Sequence, residues 1–218
     1  MRKKEAQAIS KKRSKRKSRM IVFLDTNNDL AECEVEIGRS VGQLITPLTR
    51  FQNQGRKFAI DNGAFAGFKP DGFRSLIKRE LLNKYLCTFV CAPDVVGSAR
   101  RTLECFKPWF SELNGWPIAL VAQDGIEDLE IPWSLISAIF IGGSTEFKLS
   151  KSTVHIIRAA QALEKWVHVG RVNTPIRFEK FEELGVDSID GSGISRYSHM
   201  RENLASGSPL LAQIDTDF

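Results

Sequence analysis

Six positions at the ends of apolar runs carry groups that could do chemistry together. They are Asp61 in FAIDNGAF, Asp94 in CAPDVVG, Gln123 in VAQDG, Gly142-Gly143 in IGGS, Gly170 in WVHVG and Asp190 in VDSIDGSG. From Asp61, the steps to Asp94, Gln123, Gly143, Gly170 and Asp190 are 33, 29, 20, 27 and 20 residues, about one strand-plus-helix unit each. A spacing of that kind brings such groups to the same end of successive parallel strands. Three carboxylates, an amide and glycines around one opening suit the cleavage of a glycosidic bond. One carboxylate attacks the sugar carbon while a second shuttles a proton to and from the leaving group. The remaining acid and the amide can read the edge of a purine. Gly63, Ala64 and Gly67 leave a slot for the ring, and Phe65 can stack over it.

Each position also has a plainer reading. Asp61 can close an Asx-turn, and Asp94 can cap the helix near 98 or pair with Arg100. Gln123 can be a satisfied strand-end amide. Gly142 and Gly143 can be turn glycines or the phosphate grip of many barrels. Asp187 competes with Asp190 for the last role, but strand alternation puts the two on opposite faces, and Asp190 stands at the strand terminus.

The elements that must position these groups alternate in type. Strand-like runs occupy 20–24, 57–60, 86–91, 117–122, 137–142, 165–170 and 186–190, with an eighth around 210–214 or within 34–45. Helical periodicity occupies 73–86, 98–113, 151–165 and 174–185; the first places Phe73, Leu76, Ile77, Leu81 and Leu82 near one stripe. In the last, Thr174 is the N-cap, Pro175 stands at the first helical position and Gly185 follows the end. Apolar strands alternating with helices imply a parallel sheet covered on both faces. The expected fold is therefore α/β, a compact (β/α)8 barrel of the TIM type; an open doubly wound sheet is the alternative. No GxGxxG follows the first strand, which weakens a dinucleotide site.

Charge divides the 218 residues in two. Ten of the 31 Lys and Arg fall within the first 19 residues, against Glu5 alone, while the rest holds 21 basic and 25 acidic residues. The expectation is a disordered basic arm over 1–19 and one catalytic domain over 20–218. Lys11, Lys12, Arg13, Lys15, Arg16 and Lys17 suit contacts to a phosphate backbone. A solubilising tail, a localisation signal or a targeting peptide are the other readings of the arm. Cys33, Cys87, Cys91 and Cys105 form no CxxC pair, so free thiols in a reducing cytoplasm are expected, without a zinc site. The longest apolar run, LISAIFI at 135–141, is too short to span a bilayer, and no signal peptide is apparent.

At the chemical positions the chain resembles the tRNA-guanine transglycosylase superfamily, including its relatives that insert 7-deazaguanines into DNA. DNGAF (61–65) is similar to the family's D-S-G-G-[FY] turn, with Asn62 for Ser and Ala64 for the second Gly. VAQDG (121–125) resembles V-Q-G, with Asp124 inserted. IGGS (141–144) resembles G-G-L. GVDSID (185–190) with Arg196 resembles G-V-D-x-F-D followed six residues later by Arg. The likeness covers roughly 57–196 in the family's order. It implies Asp190 as nucleophile on C1′, Asp61 as general acid/base, and Asp94, Gln123, Gly142 and Gly143 as readers of a base stacked on Phe65. It places Arg196 on the polynucleotide backbone and leaves His168, Val169 and Gly170 unassigned.

The tRNA enzymes continue into C-x-C-x2-C and His, a structural zinc site. After Arg196 this sequence has no Cys, and His199 stands alone. The resemblance therefore implies a base-exchange transglycosylase that replaces guanine with a 7-deazaguanine such as preQ0. It needs no metal or redox cofactor and acts on DNA in preference to tRNA, with base flipping or a single-stranded substrate. A homodimer or a partner subunit would be in keeping with the family. Two other functions compete: an isomerase or lyase acting on a phosphorylated metabolite, and a non-enzymatic nucleic-acid-binding protein.

Overall fold

The computed structural model describes residues 20–49 and 52–206. The basic arm, with Lys11, Lys12, Arg13, Lys15, Arg16 and Lys17, lies outside the described residues, as does the candidate strand at 210–214. Eight parallel strands close into a barrel in chain order. They are β1 (Ile21–Leu24), β2 (Val41–Ile45), β3 (Phe58–Ile60), β4 (Cys87–Cys91), β5 (Ile118–Ala122), β6 (Ala138–Ile141), β7 (Trp166–Val169) and β8 (Ser188–Asp190). The TIM-type (β/α)8 expectation holds, and the open-sheet alternative does not. Closure is made by β1 against β8, with Phe23 level with Asp190.

The eighth strand is Val41–Ile45, inside the 34–45 window. Ahead of it stands a helix that the residue pattern hides, α1 (Leu30–Ile37). Its sequence LAECEVEI alternates polar and apolar residues like a strand. Asp29, however, accepts a hydrogen bond from the Ala31 amide as N-cap, and Gly38 closes the end at φ 67°. Leu30, Cys33 and Ile37 then face the core at helical spacing while Val35 points to solvent.

The expected 73–86 helix needs correction. It runs as α2 (Pro70–Arg79), and a 3-10 turn covers Leu81–Leu86. Phe73 and Leu76 are buried, but Leu81 and Leu82 are exposed. The break falls at Glu80, which is buried and takes hydrogen bonds from Arg79 and Asn83, so the apolar stripe does not continue past it. The remaining helices are α3 (Ala99–Glu112), α4 (Thr145–Leu149), α5 (Lys151–Ala162), α6 (Pro175–Leu184), α7 (Ser192–Arg196) and α8 (Ser198–Ser206). In α6 the Thr174 hydroxyl accepts from the Arg177 amide and Gly185 takes φ 71°, as its sequence predicted.

Side chains from alternate strand positions fill the barrel. Phe23, Phe89 and Phe140 converge on its axis, and Ala59, Ala119 and Ala138 make room for them. Each buried Phe contributes roughly 2–3 kcal/mol of apolar transfer. Among these rings lies one polar side chain, His168, buried and in contact with all three. Outside the strands, two apolar layers hold the helices; Ile141, Ile157 and Phe181 belong to one, and Phe73, Phe106 and Ile118 to the other. All four cysteines are free thiols. Among the described residues, no helix is long and apolar enough to cross a membrane.

Candidate active site

The strands deliver their last residues to one mouth, where a cavity of about 650 Å³ opens. Asp61, Phe65, Asp94, Gln123, Gly142, Gly143, Gly170, Asp190 and Arg196 all line it. The sequence-selected groups therefore meet, in the ring order β3, β4, β5, β6, β7, β8.

Asp190 is held at both of its oxygens. Its Oδ2 lies 2.9 Å from His168 Nε2, and its Oδ1 accepts the Arg171 main-chain N–H at 3.0 Å. Behind it, His168 Nδ1 is 2.9 Å from Ser188 Oγ, which also accepts from Trp166 Nε1 at 2.8 Å. Trp166 can only donate, so the Ser188 hydroxyl proton is free to reach Nδ1, and Nε2–H then donates to Asp190. Strand alternation builds this column, because Trp166 and His168 share the inner face of β7 as Ser188 and Asp190 share that of β8. Asp187 falls on the other face, where its Oδ2 accepts the Val167 amide at 2.9 Å. Gly170 sits where a β-carbon would come within 2.6 Å of the Phe140 ring and 3.3 Å of Asp190 Oδ2, so any larger residue would crowd both. Of the three unassigned positions, His168 braces the acid, Val169 packs outward and Gly170 clears space.

Asp61 stands in a different setting. Oδ1 accepts the Gly63 amide at 2.7 Å, so the Asx-turn reading is also correct. Burial pushes its carboxyl up to about 7; the Gly63 hydrogen bond opposes that, and the negative charges of Asp190, Asp94 and Asp25 add to it.

The base-reading candidates form a closed network. Asp94 neither caps the helix at 98 nor pairs with Arg100. Its Oδ1 accepts Asn62 Nδ2 at 2.8 Å, and its Oδ2 accepts Gln123 Nε2 at 2.6 Å. Burial raises the Asp94 carboxyl, and these two donors pull it back. Gln123 Oε1 accepts the Gly97 amide at 3.0 Å, so the satisfied-amide reading of Gln123 is also correct. Asn62, where the resembled family has Ser, also donates to Ala92 O and accepts from Ala64 N, tying the ends of β3 and β4 together.

At IGGS the phosphate-grip alternative meets an obstacle. Asp124 already occupies the Ser144 amide at 2.8 Å and the Ser144 hydroxyl at 2.5 Å. Burial raises the Asp124 carboxyl, but these bonds outweigh it and hold it below the ordinary value. A phosphate at that turn would face a carboxylate. Phe65 is 74 % exposed, and the Arg171 guanidinium lies over its ring at 4.8 Å from the centroid.

Three functional candidates escaped the sequence. His168 carried no signal beyond being a lone histidine in an apolar strand. Asn62 had only its place beside Asp61. Asp25 follows β1 directly, and that strand end was the one clue available. Asp25 lines the cavity, its Oδ1 accepts from Thr49 Oγ1 at 3.3 Å, and its main-chain N–H donates to Ser195 Oγ at 3.1 Å. Burial raises its carboxyl, against the pull of Thr49 and Arg196. Among the described residues, no group of three or more His, Cys, Asp or Glu is arranged to hold a metal ion. Comparison with protein-family models and with curated proteins returns no match.

Proposed function

We propose that this barrel is a base-exchange transglycosylase that removes guanine from a nucleic acid and installs a 7-deazaguanine. The observation that carries the reading is the pairing of two unlike acids in one cavity of about 650 Å³. Asp190 is braced by two N–H groups, and Asp61 has its carboxyl raised to about 7. Nucleophile and proton shuttle need that division.

In the first half-reaction an Asp190 oxygen attacks C1′. The C1′–N9 bond breaks, its electron pair leaves with guanine, and the Asp61 proton goes to the departing base. In the second half, Asp61 takes the N9 proton of the incoming base, whose nitrogen attacks C1′ and returns Asp190 as carboxylate. Nothing is oxidised or reduced. Asp94, Gln123 and the Gly142-Gly143 turn lie on the β4–β6 arc and receive the base. The opposite arc, with Asp25, Thr49, Ser195 and Arg196, receives the sugar and its phosphates. The proposed polymer is DNA, with the nucleotide single-stranded or flipped out.

Incubation with DNA, and in parallel with tRNA, in the presence of labelled guanine tests this. Label should enter one polymer, and a protein–polymer adduct should survive a denaturing gel with wild type but not with Asp190→Asn. Robust exchange by Asp190→Ala, or no exchange into either polymer, would refute it.

A further inference from the structure

We infer that Arg171 occupies the base slot, that a base must displace it to enter, and that the displaced guanidinium takes a phosphate of the nucleotide; this rests on the base-exchange reading. β3 and β7 are four strands apart in an eight-strand ring, so the loops that follow them face each other across the mouth. Phe65 belongs to the first loop and Arg171 to the second, yet the guanidinium lies 4.8 Å from the Phe65 ring centroid. The contact is a strap across the opening. Arg171 Nη2 also donates to Gly143 O at 2.7 Å, on the β6 side.

A planar cation with N–H donors thus holds one ring face and one carbonyl, the features that the face and the edge of a purine would use. Base and guanidinium exclude each other there. The position is specified by the backbone too. Arg171 has φ 57°, in the left-handed region that non-glycine residues seldom adopt. In that conformation its amide points at Asp190 Oδ1 while its side chain reaches back over the mouth. Released from Phe65 and Gly143, the guanidinium can turn toward the β8 and β1 side of the mouth, where Arg196 lines the same cavity and the nucleotide's phosphate is placed; its planar fork suits that phosphate.

Titration calorimetry of the full-length protein with 7-cyano-7-deazaguanine, and with a single-stranded DNA oligonucleotide at several salt concentrations, separates the outcomes. Arg171→Ala should bind the free base about 5- to 10-fold tighter than wild type, because one competitor is gone. It should bind the oligonucleotide more weakly, with a salt slope smaller by about 0.7, one phosphate contact on a single strand. Arg171→Gly, which relaxes the left-handed backbone and keeps the amide, should behave alike and guards against a folding artefact. Equal or weaker base binding by both variants, or an unchanged salt slope, overturns the inference while wild-type base binding stands. Absence of base binding in wild type and variants alike overturns the base-exchange reading, and the inference with it.

Discussion

The ends of β8 and β3 both present an aspartate to the same cavity, and they treat it in opposite ways. Asp190 has an N–H at each oxygen, and one of those donors is itself fixed by Ser188 and Trp166 deep in the barrel. Asp61 has one amide and three neighbouring acids. One residue type thereby stands in two unlike settings, and the difference lies in the surroundings rather than in the residue.

Breaking the β8 end should cost most. Asp190→Asn removes the anion but keeps the shape, and exchange should fall by at least about 10⁴-fold in a labelled-base assay. Breaking the β3 end should cost about 10²- to 10⁴-fold through Asp61→Asn, because base departure then lacks its proton donor. The same variant sharpens the comparison through stability. Asp61 binds its proton more tightly folded than unfolded, so its contribution is greatest below about pH 4 and is lost as pH rises toward 7. Thermal melts of Asp61→Asn should therefore lie roughly 5 °C above wild type at pH 8, with the gap closing at low pH. In wild type, kcat/KM should decline above about pH 7 as Asp61 loses its proton.

Smaller effects probe the supports. His168→Phe adds a fourth ring to the phenylalanine cluster and removes the brace behind Asp190. A fall in kcat of about 10- to 100-fold is expected, with KM for the base little moved. Asn62→Ala leaves Asp94 with Gln123 alone and should raise KM for the base by about 10-fold while kcat changes less.

The barrel was legible because its strands read as apolar runs at regular intervals, each stopped by a polar residue or a glycine. The spacing from Asp61 to Asp190 also placed the site, since groups one unit apart must share a rim. What escaped was set by packing across the barrel. LAECEVEI reads as a strand because its buried side, Leu30, Cys33 and Ile37, is spread among glutamates, and only the caps Asp29 and Gly38 decide the matter. Val41–Ile45 contains Gly42, which a pattern search discounts. Its place is explained by the Phe23 ring, which a β-carbon there would meet at 2.4 Å. His168 and Asn62 gain their roles from Asp190 and Asp94, residues 22 and 32 positions away, and no local pattern holds that information.

The central claim is that Asp61 holds its proton up to about pH 7 because of where it stands. A carboxyl-¹³C NMR titration of the aspartates in the full chain, repeated on Asp61→Asn, measures it directly. The account requires one aspartate with a midpoint near 7 in wild type that is missing from the variant. If every aspartate in the wild-type protein titrates below pH 5, the division of labour between β3 and β8 is contradicted.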